Sequence, residues 1–250
     1  MGSAMVAGLL RGRPDIAEHC VIADMVPGAA AGVAADLGAR VGGVLDVAGC
    51  DVVVLAVKPN DVPAALSEIG SGHADGSGVL ISVAAGWTLD RLVAELPGWG
   101  IVRTMPNLAV RHGVGVIGLQ TAGCTPSQDD GIDALLAPLG AVVRVPERLF
   151  PAITALAGSG PGFVALVAEG LEEGAVGCGI SRADARQMVQ AVLAGSAALL
   201  ADGRDPALLR QQVSSPGGTT IAGLAELERG AVRSHLADAV RAAAARAAEL

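Results

Sequence analysis

As far as residue 145 the chain sets short, wholly apolar and largely β-branched runs between stretches in which apolar residues return every three or four positions; beyond Pro146 such runs cease. The runs predict strands over residues 21–23, 52–57, 79–83, 101–103, 114–119 and 142–145. Strands that are apolar on both faces need cover on both faces, so the expectation is an α/β fold with a doubly wound parallel sheet between helix layers. After residue 146, Ala- and Leu-rich segments broken by Gly, Pro and Ser predict helices alone, over residues 149–157, 161–176, 182–201, 206–213, 217–228 and 231–250. In the last of these, Val232, Leu236, Val240, Ala243 and Ala247 share a face, leaving Arg233, Arg241 and Arg246 to water. That apolar face suits an intramolecular core and a subunit contact equally.

Composition narrows the function classes. The chain has 250 residues, 52% of them hydrophobic, enough for a sizeable core. A formal net charge of -8 without any Lys/Arg cluster argues against a nucleic-acid partner. Cys20, Cys50, Cys124 and Cys178 stand in no metal-ligand spacing, which points to reduced thiols and no metal. No apolar run is read as long enough to span a membrane and the N-terminus carries no leader pattern, so a soluble, cytoplasmic protein is expected. Aromatic residues make up only 2%, leaving a core of Ala, Val and Leu suited to close helix packing.

Several stretches carry candidate chemistry. Gly2-Ser3-Ala4-Met5 opens into a helical pattern, and Asp24 ends the next strand at a spacing near that between the last glycine of a dinucleotide fingerprint and its ribose-binding carboxylate. By themselves these residues are explained as well by a start-of-chain glycine and a turn aspartate. Ala56-Val57-Lys58-Pro59 follows a strand, and Pro59 holds Lys58 extended at the carboxyl edge of the sheet, where open α/β sheets bind ligands. Val83-Ala84-Ala85-Gly86 ends the next strand with small side chains that admit a flat ligand or a packed helix. Arg103-Thr104-Met105-Pro106-Asn107 ends another, with an amide at Asn107 that both donates and accepts. In Ser214-Ser215-Pro216-Gly217-Gly218-Thr219-Thr220, Ser215 reads as an N-cap, Pro216 as the first helical residue, and the glycines as uncovered backbone N–H groups at the positive end of a helix. Paired glycines cost about 1 kcal/mol each inside a helix, so a small carboxylate site is favoured over an ordinary helix start. The similar Ser159-Gly160-Pro161-Gly162-Phe163 reads as packing, with Gly162 permitting close helix approach.

Taken in order, Ala56 to Pro59, Arg103 to Asn107, the run from Ala157 to Phe163, and Val213-Ser214-Ser215-Pro216-Gly217-Gly218-Thr219-Thr220-Ile221-Ala222-Gly223-Leu224 resemble the pyrroline-5-carboxylate reductases across nearly the whole chain. The resemblance implies a Rossmann dinucleotide-binding domain over residues 1–146 and an all-α substrate-binding and dimerisation domain over 147–250. It implies homodimers formed through the helical domain and larger rings such as a decamer. The implied reaction is hydride transfer from NADPH or NADH to the cyclic imine 1-pyrroline-5-carboxylate, giving L-proline. Carried over position by position, Gly2, Asp24, Ala56, Val57, Lys58, Pro59, Val83, Ala84 and Ala85 would bind cofactor. Ser215, Gly217, Gly218, Thr219, Thr220 and Asn107 would bind substrate, with Thr220 as the catalytic residue that orients the ring nitrogen or relays a proton. The chain departs from the family in three places. Met1 aligns inside the cofactor turn, so the first, central strand and two glycines are expected to be missing; Gly43 and Val44 replace a polar contact; and Gly162-Phe163 replaces the usual Ala-Tyr.

Hydride chemistry belongs to the cofactor, which leaves the protein binding, orientation and exclusion of water. Asp24, followed by Met25, Val26 and Pro27 without an Arg to pair a 2′-phosphate, favours the ribose diol of NADH. Two alternatives stand beside this reading. One is a related imine or hydroxyacid reductase, although every residue from Leu149 onward is something other than the lysine those hydroxyacid enzymes use. The other is a non-catalytic helical dimer serving only in assembly.

Overall fold

The protein is described by a computed structural model over residues 1–26, 28–71 and 78–249. It divides into two compact units, Met1–Gly158 with Ala244–Leu250, and Ser159–Ala243.

In the first unit, α1 (Gly2–Gly12) leads to β1 (Val21–Ile22), α2 (Ala29–Leu37), β2 (Arg40–Val41), α3 (Val44–Ala48) and β3 (Val52–Leu55). Then come α4 (Val62–Gly70), β4 (Val79–Ser82), α5 (Leu89–Glu95), β5 (Gly100–Pro106), β6 (Gly115–Ala122), α6 (Pro126–Leu136), β7 (Gly140–Arg144) and α7 (Phe150–Ile153). All six anticipated strands are present, with ends displaced by up to three residues. The short β2 has no counterpart among the anticipated strands, because both of its residues are exposed and it carries no apolar run.

The main sheet has the order β3-β4-β5-β6-β7, whereas β1 and β2 form a separate parallel pair. The sheet is therefore split between β1 and β3, the place that the first strand holds in a doubly wound fold. The departure from the expected all-parallel arrangement is that β5 and β6 pair antiparallel. Their connection contains only the 3-10 turn Leu108–His112, too little for the crossover of a dozen or more residues that parallel neighbours need. A full crossover through α6 restores parallel pairing between β6 and β7.

Alternation of side chains along each strand explains why apolar residues stand at successive positions in the central strands. Leu80 and Ile101 face one core with Val53, Leu55, Leu66 and Leu92. Their neighbours Val79, Ile81 and Val102 face the other, with Met5, Leu9, Ile117, Leu119 and Leu136. On that second face α1 lies very close to the 3-10 turn: a Cβ on Gly8 would stand 2.1 Å from the Val110 carbonyl oxygen.

Residues 149–157 were expected as one helix. The backbone there is composite, a 3-10 turn Glu147–Leu149, then α7, then a π-helical turn Thr154–Gly158. Pro151 at the start of α7 lacks an N–H for the preceding ladder, and Thr154 Oγ1 donates to the Phe150 carbonyl at 2.8 Å, a back-bond that competes with the α-helical pattern.

The second unit is helical, with α8 (Gly160–Gly177), α9 (Arg182–Ala201), α10 (Pro206–Gln212), α11 (Thr219–Arg229) and most of α12 (Val232–Ala248). The bounds of α9 match the expected ones. Its start is fixed by Ser181, whose hydroxyl accepts from Asp184 N–H at 3.2 Å, and Glu172 on α8 receives both Arg182 and Arg186 from α9. Neither α8 nor α11 has a buried residue, and α9 has only Ala185 and Val189.

Two expectations are corrected here. Among the described residues a Cβ on Gly162 would meet nothing within 4 Å, so that glycine serves no close helix approach among them. The run Glu147–Gly177 does contain an 18-residue window of mean hydropathy 1.5, long and apolar enough to cross a membrane by length and composition alone, with 17% of it buried. Pro151, Gly158, Gly160 and Pro161 punctuate this stretch, which hides its length in a reading based on unbroken runs.

Candidate active site

The carboxyl ends of β3 and β4 lie side by side in parallel register, Leu55 beside Ser82. Beyond them the chain presents small or extended residues: half-buried Ala56, Val57 and Val83, buried Ala84, and exposed Lys58, Pro59 and Ala85. Lys58, the only lysine in the chain, is extended at φ -65°, ψ 151° ahead of its proline. Gly2, in the first turn of α1, approaches this ledge so closely that a Cβ on it would come 3.0 Å from the Ala56 Cβ. The last glycine of a dinucleotide fingerprint has this same task of letting a helix close on a strand end.

Asp24 is exposed just beyond β1, where its Oδ1 accepts from Val26 N–H at 2.8 Å. That hydrogen bond fixes the carboxylate in a local turn. Pro27, part of the cofactor-choice argument, lies outside the described residues. Gly43, at one of the departures from the family pattern, caps α3 and donates its N–H to Asp46 at 2.8 Å.

Asn107 is placed differently from the other candidates. It is buried, its Oδ1 accepts from Val116 N–H at 3.2 Å, and its Nδ2 donates to the Ala157 carbonyl at 3.1 Å. The amide thus ties the end of β5 to β6 and to the π-helical turn. Two buried hydroxyls fix the neighbouring strand ends: Thr104 donates to the Ser82 carbonyl at 3.0 Å, and Ser82 Oγ accepts from Ala84 N–H at 3.3 Å.

In the second unit, Ser215, Pro216, Gly217 and Gly218 form a tight turn closed by Gly218 N–H donating to the Ser215 carbonyl at 2.9 Å. Gly217 takes φ +71°, the left-handed value that a proline-glycine turn of this kind needs. Helix α11 begins only at Thr219, with Gly218 as its N-cap. This corrects the expected start at Gly217 and the expected cap at Ser215, because a left-handed residue cannot be the first residue of a right-handed helix. The correction leaves the chemistry in place. No side chain caps α11, so the first-turn N–H groups around Thr219 and half-buried Thr220 remain uncovered at the positive end of the helix. A Cβ on Gly218 would stand 2.3 Å from Ser215 Oγ, a contact that rotation of the serine relieves, and 3.1 Å from the Ser215 carbonyl oxygen.

A family model described as pyrroline-5-carboxylate reductase dimerisation matches residues 147–250, and one described as NADP oxidoreductase, coenzyme F420-dependent, matches residues 1–86. A pyrroline-5-carboxylate reductase of Mycobacterium tuberculosis is 36% identical over 276 aligned residues, covering 100% of this chain and 93% of the relative. This chain belongs to the pyrroline-5-carboxylate reductase family. Another reductase of the family, from Synechocystis, is 38% identical over 80% of this chain and 75% of its own length. Among solved structures, the pyrroline-5-carboxylate reductase of Coxiella burnetii superposes with a TM-score of 0.90 at 27% identity, covering 98% of this chain and 94% of the other. The Plasmodium falciparum enzyme, solved with NADP bound, gives 0.83 at 25% identity over 99% and 93%.

For a pyrroline-5-carboxylate reductase the inventory of reactive side chains is sparse. Burial pushes the Cys20, Cys50 and Cys124 thiols up, so they are neutral and poor nucleophiles near neutral pH. Among the described residues, no group of three or more His, Cys, Asp or Glu is placed to hold a metal.

Residues missed from the sequence are those that brace the strand ends. Glu147 accepts from Leu89 N–H at 2.6 Å and pairs with Arg103, whose guanidinium lies 4.5 Å from the centre of the Phe150 ring. Trp87 donates its indole N–H to the Pro59 carbonyl at 3.1 Å. A tryptophan among so few aromatic residues was the available signal for the second; nothing local marked the first.

Proposed function

We propose that the chain reduces 1-pyrroline-5-carboxylate to L-proline using NAD(P)H, as a cytoplasmic homo-oligomer without nucleic-acid or membrane partners. We take residues 1–146 as the dinucleotide-binding part and 147–250 as the substrate-binding and dimerisation part. The observation that carries this reading is the uncapped start of α11 behind the left-handed Gly217, in a chain that matches the family over its full length. A dinucleotide is compatible with the first unit, because Gly2 lets α1 close on Ala56 and the side chains of Val83, Ala84 and Ala85 are short.

When bound, the cofactor supplies the hydride. Ala56 to Pro59 and Val83 to Ala85 would hold it flat against the sheet edge, with Asp24 on the ribose. In the second unit, backbone N–H groups at Gly217, Thr219 and Thr220 would receive the substrate carboxylate, with Ser215 and Gly218 forming the turn that presents them. The Thr220 hydroxyl would orient the ring nitrogen. Asn107 would act by bracing the strand end, with one amide hydrogen left for a ligand. The dimer would cover the apolar residues of α8 and α9, and a ring such as a decamer would be built from such dimers.

The test is a steady-state assay of imine reduction with each nicotinamide cofactor. Turnover with a higher kcat/KM for NADH than for NADPH is expected, since Asp24 repels a 2′-phosphate and no Arg stands beside it in sequence. No turnover with either cofactor would refute the function; a preference for NADPH would refute the role of Asp24.

A further inference from the structure

The turns that follow β3 and β4 are far apart in sequence, yet one side chain joins them. Trp87 is 4% exposed and packs in the core with Val53, Leu55, Leu89 and Leu92. Its indole N–H donates to the Pro59 carbonyl at 3.1 Å. Its ring is held from the other side by Arg91, whose guanidinium carbon lies 4.1 Å from the ring centre. Arg91 also donates to the Gly86 carbonyl at 3.4 Å, and Gly86 takes φ +74°, turning the chain out of β4 toward α5. Pro59 has no N–H of its own and opens the 3-10 turn Pro59–Asp61, in which Asp61 N–H donates to the Lys58 carbonyl at 2.9 Å. The indole is thus a cross-brace from the β4 turn to the β3 turn.

We infer that Trp87 is a positioning residue for cofactor binding: it sets the Ala56–Pro59 turn at a fixed spacing from Val83 to Ala85 before any ligand arrives. This rests on the proposed placement of the cofactor on that edge. A ledge held in place loses little freedom on binding, whereas an unbraced turn must be ordered by the ligand at a cost in affinity. Trp87 is buried beneath the two turns, so its effect on a ligand passes through the residues it holds.

The experiment compares the full chain with Trp87→Phe and with a chain carrying benzothienylalanine at position 87, which keeps the two-ring volume and removes only the N–H. Calorimetric titration gives the Kd of NADH and NADPH without relying on tryptophan emission. Both replacements should raise the cofactor Kd about fivefold, the worth of one hydrogen bond near 1 kcal/mol. The kcat at saturating cofactor and the KM for the imine should stay within about twofold, a split that general loosening of the fold would not produce. A 7-azatryptophan at position 87 retains the N–H and should restore the wild-type Kd. An unchanged Kd in the benzothienylalanine chain, or equal losses in cofactor affinity, imine KM and kcat, would overturn the inference. Failure of the wild-type chain to bind either nicotinamide would instead overturn the proposed function, so the two failures are distinguishable.

Discussion

The hydroxyl of Thr220 lies in the first turn of α11, half-buried, beside N–H groups that no side chain caps. Valine has nearly the same shape, the same branching at Cβ and a similar helix propensity, so Thr220→Val deletes the hydroxyl and little else. We expect kcat/KM for the imine to fall about tenfold, the upper range for one neutral hydrogen bond, with the KM of the nicotinamide and the thermal midpoint nearly unchanged. Steady-state kinetics with both substrates varied checks this. If the imine parameters match those of the wild type, Thr220 has no part in orienting the ring. Asn107 illustrates how a residue type alone leaves a role open. Its amide is suited to a ligand, but two of its hydrogen-bonding positions are spent on Val116 and Ala157.

At the scale of elements, close approach distinguishes glycines that are otherwise alike in sequence. Gly8 in α1 and Gly32 in α2 are both internal helix glycines. A Cβ on Gly8 would meet the Val110 carbonyl oxygen at 2.1 Å and Leu139 Cδ2 at 2.5 Å, whereas one on Gly32 would meet nothing within 4 Å. Gly8→Ala should therefore push α1 off the 3-10 turn and destabilise the first unit by about 1–3 kcal/mol. Gly32→Ala should stabilise by up to about 1 kcal/mol through helix propensity. Urea unfolding followed by circular dichroism reads both, and a stabilising Gly8→Ala would contradict the described packing of α1. Since Gly2 heads the same helix, the cofactor Kd should rise in Gly8→Ala and hold in Gly32→Ala.

For the whole molecule, the helical unit presents many large apolar side chains to water, a feature of surfaces that meet a partner. Leu166 is 69% exposed, Val164 52% and Val192 58%, on helices with almost no buried residues of their own. A second copy would cover them, in accord with a family model described by its dimerisation. Leu166→Glu should weaken self-association by about a hundredfold, as burying an unpaired charge costs several kcal/mol. Analytical ultracentrifugation over a range of protein concentrations measures this directly. An oligomer of unchanged mass and affinity would show that α8 is not in the interface at Leu166.

What the sequence by itself determined was local. Largely apolar, β-branched runs specified β3, β4 and β5 as strands covered on both faces, because side chains alternate along a strand and each face met a core of its own. The Ala- and Leu-rich run over 182–201 specified α9 at its observed bounds, since helical periodicity is set within the segment itself. The proline and paired glycines after Ser215 marked an unusual helix start near α11, though not the turn that precedes it. Only the tertiary structure decided the rest: that β6 runs against β5, that Gly218 and not Ser215 caps α11, that β1 and β3 belong to separate sheets, and which partners Asn107, Glu147 and Trp87 hold. The physical reason is the range of the interactions. Backbone periodicity and turn chemistry act over a few residues, whereas the bonds from Trp87 to Pro59, Asn107 to Ala157 and Leu89 to Glu147 span 28, 50 and 58 positions and exist only once the sheet has brought their ends together.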